Sequence, residues 1–414
     1  MKRFSEIVFW LLAFLFIANS LRIWQIESEV GFAGFISIML ALSAVLRLTL
    51  LLLRRVKIIS NKTYTNTGLL FVSLVSAISL GEICLRTFSK EYQCYYERTG
   101  VNYYGSLYGH FELRDCDSCH GGPYFICDPN TTDAFIRKEF RYPHHYNSLG
   151  LRDKEFVTAK QPGEFRILGL GDSFTEGVGT PADSTWLKQL EYKLNDSLPS
   201  VHFTTLNGGV HGSDLFFAYQ LFTNCLMKYK PDVVILDLNS TDINDIIWRG
   251  NYDRFDANGK FVGKKGVWWE YFFGSSFIVR AIVLNVLHYN WGLQTADEQR
   301  ETEANTMISI AQKINDFQKL ADKEHFKFLL VLQPLKEDLQ NADVYANLQI
   351  STAVQKINLY PYFKDKIVTQ KQPEDKYYWP EDGHFKSFGY GLMATEISKQ
   401  FFISPIRESI VLKP

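Results

Sequence analysis

Residues 165–177 read FRILGLGDSFTEG, a short apolar run that ends in a glycine-bounded turn with Ser173 at its centre. Six residues of this kind predict a buried strand that hands the chain directly to a helix. Ser173 then stands at the carboxyl end of the strand, with its backbone N–H at a helix start. Downstream the pattern repeats. Residues 186–194 suit a helix, 201–206 a second strand and 215–229 a helix. Residues 233–238 (VVILDL) suit a third strand, 306–325 a long amphipathic helix, 326–332 (FKFLLVL) a fourth strand and 388–402 a closing helix. Strands separated by helices predict a three-layer α/β domain, a parallel sheet covered on both faces. Ligands of such sheets bind at the carboxyl ends of the strands.

The chemistry-bearing stretches fall at those ends. Asn207-Gly208-Gly209-Val210-His211-Gly212 follows the second strand, and its glycines let backbone N–H groups approach a substrate. Asn239-Ser240-Thr241-Asp242 follows the third strand. Glu381-Asp382-Gly383-His384 precedes the last helix, and a carboxylate two or three residues before a histidine can hold its imidazole. Each stretch also has a plainer reading: Ser173 as a helix cap, the glycines as a tight turn, His211 as a surface histidine and the acidic run as a solvated turn. Other motif readings fail. Gly169-Leu170-Gly171 has Phe174 where a dinucleotide fingerprint needs glycine, no Gly-Lys-Ser/Thr phosphate loop is present, and Ser173 is not in a G-x-S-x-G elbow.

In this order the stretches resemble the SGNH (GDSL-like) hydrolase superfamily over about residues 165–405. Asn147-Ser148-Leu149-Gly150-Leu151-Arg152 resembles a lead-in found before that domain in membrane-linked members. The resemblance implies Ser173 as nucleophile, His384 as base, Asp382 as the acid with Glu381 as the alternative, and Gly212 in the oxyanion hole. One block departs. The family's Gly-x-Asn-Asp aligns on Asp242 to put Thr241 at the asparagine position, so Thr241 or Asn239 is expected as the side-chain oxyanion donor. Acyl transfer through a serine ester needs no metal or cofactor. The rate should rise with pH as the imidazole base loses its proton.

The chain has 414 residues, 46% hydrophobic and 21% charged, with 44 Lys+Arg against 45 Asp+Glu. A net charge of −1 gives no basic excess for nucleic acid. The long apolar runs lie before residue 90. Residues 7–24, 30–53 and 67–85 each approach the roughly 20 residues that cross hydrocarbon. Three transmembrane helices are therefore expected, although the first also fits a cleaved signal peptide. Lys2, Arg3, Arg54, Arg55, Lys57 and Lys62 place the N-terminus and the second connection in the cytoplasm, and everything after about residue 88 on the exported side.

The expected organisation is a membrane anchor over 1–89, an irregular cysteine-bearing exported linker over 90–160 and the SGNH-like domain over 161–414. Cys94, Cys116, Cys119 and Cys127 suggest two disulfides of open pairing. Cys116-Asp-Ser-Cys-His120 also has haem-attachment spacing, and a zinc knuckle is a further alternative. Cys84 falls in the third apolar run, and Cys225 is expected as a buried thiol. Residues 246–303 exceed the minimal sheet. They hold a hairpin expected over 252–261, the aromatics Trp268, Trp269, Tyr271, Phe272 and Phe273, and an apolar helix over 277–287. This insertion reads as a lid or cleft wall touching the membrane, or as a helix packed on the sheet edge.

Three functions follow. The first is a membrane-anchored esterase acting on acyl, often acetyl, esters of glycans or lipids. The second is an O-acyltransferase using the same serine on an envelope polysaccharide, with a membrane-bound acyl-donor partner. The third is a non-catalytic glycan-binding module on a decayed hydrolase fold.

Overall fold

The computed structural model describes residues 32–89, 92, 111–115, 123–127, 129–249, 267, 269, 272–273, 276–290, 293–341, 343–403 and 405–411. The expected first membrane segment, the 252–261 hairpin, Trp268, Tyr271, Cys94, Cys116, Cys119 and His120 lie outside the described residues. The chain divides into two compact units. One comprises residues 1–107 with 265–300, the other 108–264 with 301–414.

The first unit contains α1 (Phe32–Arg55) and α2 (Asn61–Phe88). Ser60 caps α2 by accepting from Thr63 N. Among the described residues one helix, α2, is long and apolar enough to cross a membrane, by length and composition. Of the two expected spans that fall within the described residues, 30–53 and 67–85, the second meets this test; the first expected segment, 7–24, lies outside them. Within α1 the uncharged run stops at Arg47, whereas α2 carries no charge from Thr63 to Gly81. Cys84, on α2, is a free thiol.

The second unit opens with two antiparallel hairpins, β1 (Phe111–Asp115) with β2 (Pro123–Cys127) and β3 (Thr132–Ile136) with β4 (Arg141–His145). The region read as irregular is thus partly strand. Its short alternating runs are interrupted by glycine, cysteine and proline, which hides the period. A five-stranded parallel sheet follows, built from β5 (Glu164–Gly171), β6 (His202–Gly209), β7 (Val233–Leu238), β8 (Lys327–Leu332) and β9 (Gln355–Asn358) in the order β6-β5-β7-β8-β9. β5 and β7 are buried along their whole length, which is why their apolar residues do not alternate with exposed polar ones.

Alternate strand residues face opposite layers. Phe165, Ile167, Val233, Ile235, Leu329 and Val331 share one core with α4 (Trp186–Ser197) and α10 (Ser387–Ile403). α4 contributes Trp186, Leu187, Leu190 and Leu194, and α10 contributes Tyr390, Met393, Ile397 and Phe401, each at helical spacing. On the other side Phe328 of β8 stacks on Phe317 of α8 (Ala296–Glu324) at 5.2 Å. The remaining helices of this unit are α3 (Ser173–Glu176), α5 (Leu215–Leu221), α6 (Ser240–Arg249), α9 (Tyr360–Lys364) and α11 (Pro405–Val411). The helix expected over 215–229 widens into a π turn at Phe222–Leu226. Cys225 in that turn is buried and disulfide-bonded, which corrects its reading as a thiol.

At the amino end of the sheet Glu164 meets the Arg166 guanidinium at 2.9 and 3.1 Å and accepts from Thr204 Oγ1 and Gln161 N. Burial works against its charge, but these donors hold Glu164 down to about 2. A carboxylate depressed from 4.5 stabilises the fold fully above about pH 4.5 and loses that contribution as pH falls toward 2. Glu164→Gln should therefore destabilise the protein by about 1–2 kcal/mol at pH 7. Denaturation curves of the two proteins should converge as pH is lowered through that window.

Candidate active site

β5 ends at Gly171, and Asp172 caps α3 by accepting from Phe174 N at 2.9 Å. The cap is thus supplied by Asp172, and the Ser173 hydroxyl is left for another partner. Its oxygen lies 2.7 Å from His384 Nε2. His384 Nδ1 lies 2.5 Å from Asp382 Oδ1. Residues more than two hundred positions apart therefore meet at the carboxyl edge of the sheet. The His384 ring packs on Phe174 at 4.8 Å, which fixes its plane.

Burial pushes Asp382 up, yet the hydrogen bond and charge of His384, with Arg137 nearby, leave its carboxyl below the usual range. These partners favour the ionised form of Asp382 beside the His384 ring. Glu381, the alternative acid, is exposed and pairs with Lys138 at 2.6 Å.

The histidine turn is held from several directions. Trp379 N donates to His384 O, and the Trp379 indole donates to Gly179 O. Glu139, in the turn between β3 and β4, accepts from the backbone N–H of both Glu381 and Asp382, at 2.9 and 2.7 Å. Arg137 Nε stands 4.0 Å from Asp382 Oδ2. Glu139 and Arg137 carry no sequence signal, because both lie in the stretch read as a linker.

The strand ends next to Ser173 complete the rim. Gly209, at the end of β6, passes so close to α3 that a Cβ there would sit 2.2 Å from Glu176 N. The chain then turns through His211 and Gly212, the latter at φ 71° in the left-handed region. His211 N donates at 2.6 Å to the fully buried Glu176, which also accepts from Tyr146 Oη at 3.2 Å. Burial pushes Glu176 up, opposed by the Arg152 cation. Arg152, from the Asn147–Arg152 lead-in, donates to the carbonyls of Gly177 and Thr180 at 2.6 and 2.7 Å. That lead-in is thereby tied to the serine turn.

Asn239 is fully buried and bridges the ends of β5 and β7. Its amide donates to Asp172 Oδ2 at 2.9 Å, and its carbonyl accepts from Thr241 N and Thr241 Oγ1 at 2.9 and 2.5 Å. Thr241 thus spends its hydroxyl proton on this bridge, and Asn239 spends one of its two amide hydrogens. Beneath it burial, with Asp172 alongside, pushes Asp237 and Asp242 well above the usual carboxylate range. Thr241→Val should accordingly change kcat/KM by less than about tenfold, against the 10²–10³ typical for a lost oxyanion donor. Steady-state kinetics on an activated ester decides between them.

Among the described residues no group of three or more His, Cys, Asp or Glu side chains is placed to hold a metal ion. No family model matches the chain, and no curated protein matches it. Several solved structures are similar over part of it. A two-domain esterase active on acetylated mannans, crystallised with mannopentaose, is 14% identical, covers 57% of this chain and 48% of its own, and has a TM-score of 0.35. This chain thus spans about half the length of that protein. The acetyl xylan esterase AlAXEase is 13% identical, with 57% and 98% covered and a TM-score of 0.36. A member of the lipolytic protein G-D-S-L family from Veillonella parvula is 13% identical, with 58% and 99% covered and a TM-score of 0.34.

Proposed function

We propose that this chain is a serine esterase of the SGNH type that hydrolyses acyl esters of glycans or lipids through an acyl-enzyme. One observation carries the reading. Ser173 Oγ, His384 and Asp382 form a hydrogen-bonded chain of 2.7 and 2.5 Å at the edge where parallel sheets bind ligands. A serine that served only as a cap or core hydroxyl would have no reason to meet an imidazole oriented by a carboxylate.

The roles follow from this geometry. As Ser173 Oγ bonds to the ester carbonyl carbon, His384 Nε2 takes its proton, and Asp382 stabilises the imidazolium. The oxyanion is received by the backbone N–H groups of Ser173 and Gly212. The intermediate then expels the alcohol, which takes the proton from His384. Water repeats the sequence on the acyl-enzyme and releases the acid. With the Thr241 hydroxyl bonded to Asn239, the second amide hydrogen of Asn239 is the side-chain donor left to join these two backbone N–H groups.

The same reading makes the protein membrane-anchored, with the catalytic unit on the exported side. The apolar length of α2 and the basic residues Arg54, Arg55, Lys57 and Lys62 before it support this.

The test is ester cleavage by the full chain in detergent. Hydrolysis of p-nitrophenyl acetate and acetate release from O-acetylated polysaccharide are expected, and the activity against longer p-nitrophenyl esters bounds the acyl size. Folded protein without Ser173-dependent cleavage of any of these would favour the binding-module reading.

A further inference from the structure

A carboxylate near the end of an apolar helix needs an explanation. Glu82 lies on α2 with its side chain fully buried. Arg86 Nε, one turn later, donates to it at 2.7 Å. The other donors come from the insertion. Ser276 Oγ, Phe277 N and Ile278 N reach the carboxylate at 2.8, 2.9 and 3.1 Å. Phe277 and Ile278 open the helix α7 (Phe277–Asn285), so Glu82 satisfies N–H groups that have no partner inside that helix. The guanidinium groups of Arg86 and Arg280 lie over the Phe277 ring, 4.6 and 4.5 Å from its centroid. Arg280 Nε also donates to Phe273 O, and Asn285 Nδ2 donates to Tyr92 Oη. The insertion helix is thus pinned to α2 at a defined height.

That height can be estimated. At about 1.5 Å per residue, α2 is about 42 Å long, close to a bilayer with its headgroups. Glu82 stands six residues before Phe88, the end of the helix, hence about 9 Å inside it. That is the depth at which interfacial helices bury an apolar face, roughly 5–10 Å into the boundary of headgroups and acyl chains. α7 is built for such a place. One face packs inward, with Val283 buried among Phe273, Leu293, Val279 and Leu284. The other exposes Ile282, Val286 and Leu287, at 45%, 66% and 54%. On α2 Leu80 and Ile83, on either side of Glu82, are exposed as well.

We propose that residues 276–287 form an interfacial membrane element, fastened to α2 through Glu82, that sinks Ile282, Val286 and Leu287 into the lipid bilayer α2 crosses. The inference rests on the membrane-anchored reading and deepens it: the insertion returns to the bilayer from the middle of the catalytic sequence. Its occupant is lipid, and no protein partner is required.

The test uses the full chain in phosphatidylcholine vesicles, with an environment-sensitive dansyl amino acid introduced by amber suppression at one position at a time. The positions are Leu287, Leu74 within α2, and Tyr192 on α4, all exposed in the protein. Brominated phosphatidylcholine should quench and blue-shift the probe at Leu287 and at Leu74, and leave Tyr192 unchanged. Quenching at Leu74 with Leu287 behaving like Tyr192 overturns the interfacial element and leaves the anchor standing. No quenching at Leu74 overturns the anchor and the proposal with it. Glu82→Ala should abolish most quenching at Leu287 while leaving that at Leu74, and Glu82→Gln should retain part of it. Quenching at Leu287 unaffected by Glu82→Ala would overturn the fastening role of Glu82.

Discussion

Replacing Ser173 with alanine should abolish covalent labelling by a fluorophosphonate and lower ester turnover on the order of 10⁶-fold. The effect should be confined to chemistry. Asp172, not Ser173, caps α3, so the substitution removes no cap, and the methyl side chain fits where the serine side chain stood. Thermal unfolding should stay within about 0.5 kcal/mol of wild type, as for changes that touch no cap, cavity or ion pair. Labelling and turnover that persist in Ser173→Ala would remove the nucleophile assignment, and with it the acyl-enzyme. The measurement is direct, because the probe reports a bond to one oxygen and needs no knowledge of the natural substrate.

The second large effect separates the two candidate acids. Asp382→Asn should lower kcat by about 10⁴-fold with little change in KM, because an amide favours the wrong imidazole tautomer and cannot stabilise the imidazolium. Glu381→Gln should leave kcat nearly unchanged. It removes an exposed ion pair with Lys138, of a kind worth about 0–1 kcal/mol, and no contact to His384. The opposite ranking in steady-state kinetics would move the acid to Glu381. The reason to expect Asp382 is geometric: its oxygen is 2.5 Å from His384 Nδ1, and Glu139 accepts from its backbone N–H, which fixes the turn that presents it.

Much of the second unit was legible because parallel strands advertise themselves. Residues 233–238 are legible at their observed bounds, since a strand buried on both faces reads as a near-continuous apolar run, here interrupted by Asp237 alone. β9, with four residues and a partly exposed edge, carries no such pattern and was not anticipated. The motif residues at the strand ends could be named from their order, but their hydrogen bonds could not. Asn239 and Thr241 stood as alternatives for one task, and the folded chain joins them to each other, because a residue's partner is set by distant loops and not by spacing. Glu139 is the sharper case. Its sequence neighbours describe a short hairpin turn, while its contacts are with residues some 240 positions later. The membrane part shows the reverse limit. Hydropathy marked the apolar runs, yet only the fold joins the buried Glu82 to the start of the insertion helix.

The tie between Glu139 and the backbone of residues 381 and 382 bears on how this protein would be trimmed. A fragment begun at residue 161, where the sheet sequence starts, would keep Ser173, His384 and Asp382, the proposed nucleophile, base and acid. It would lack Glu139, Arg137 and Arg152, the strap that steadies the acid and the cation that ties down the serine turn. Such a minimal version would retain Ser173, Asp382 and His384 and still hold them slackly, so an expression boundary for crystallisation or screening belongs upstream of the two hairpins.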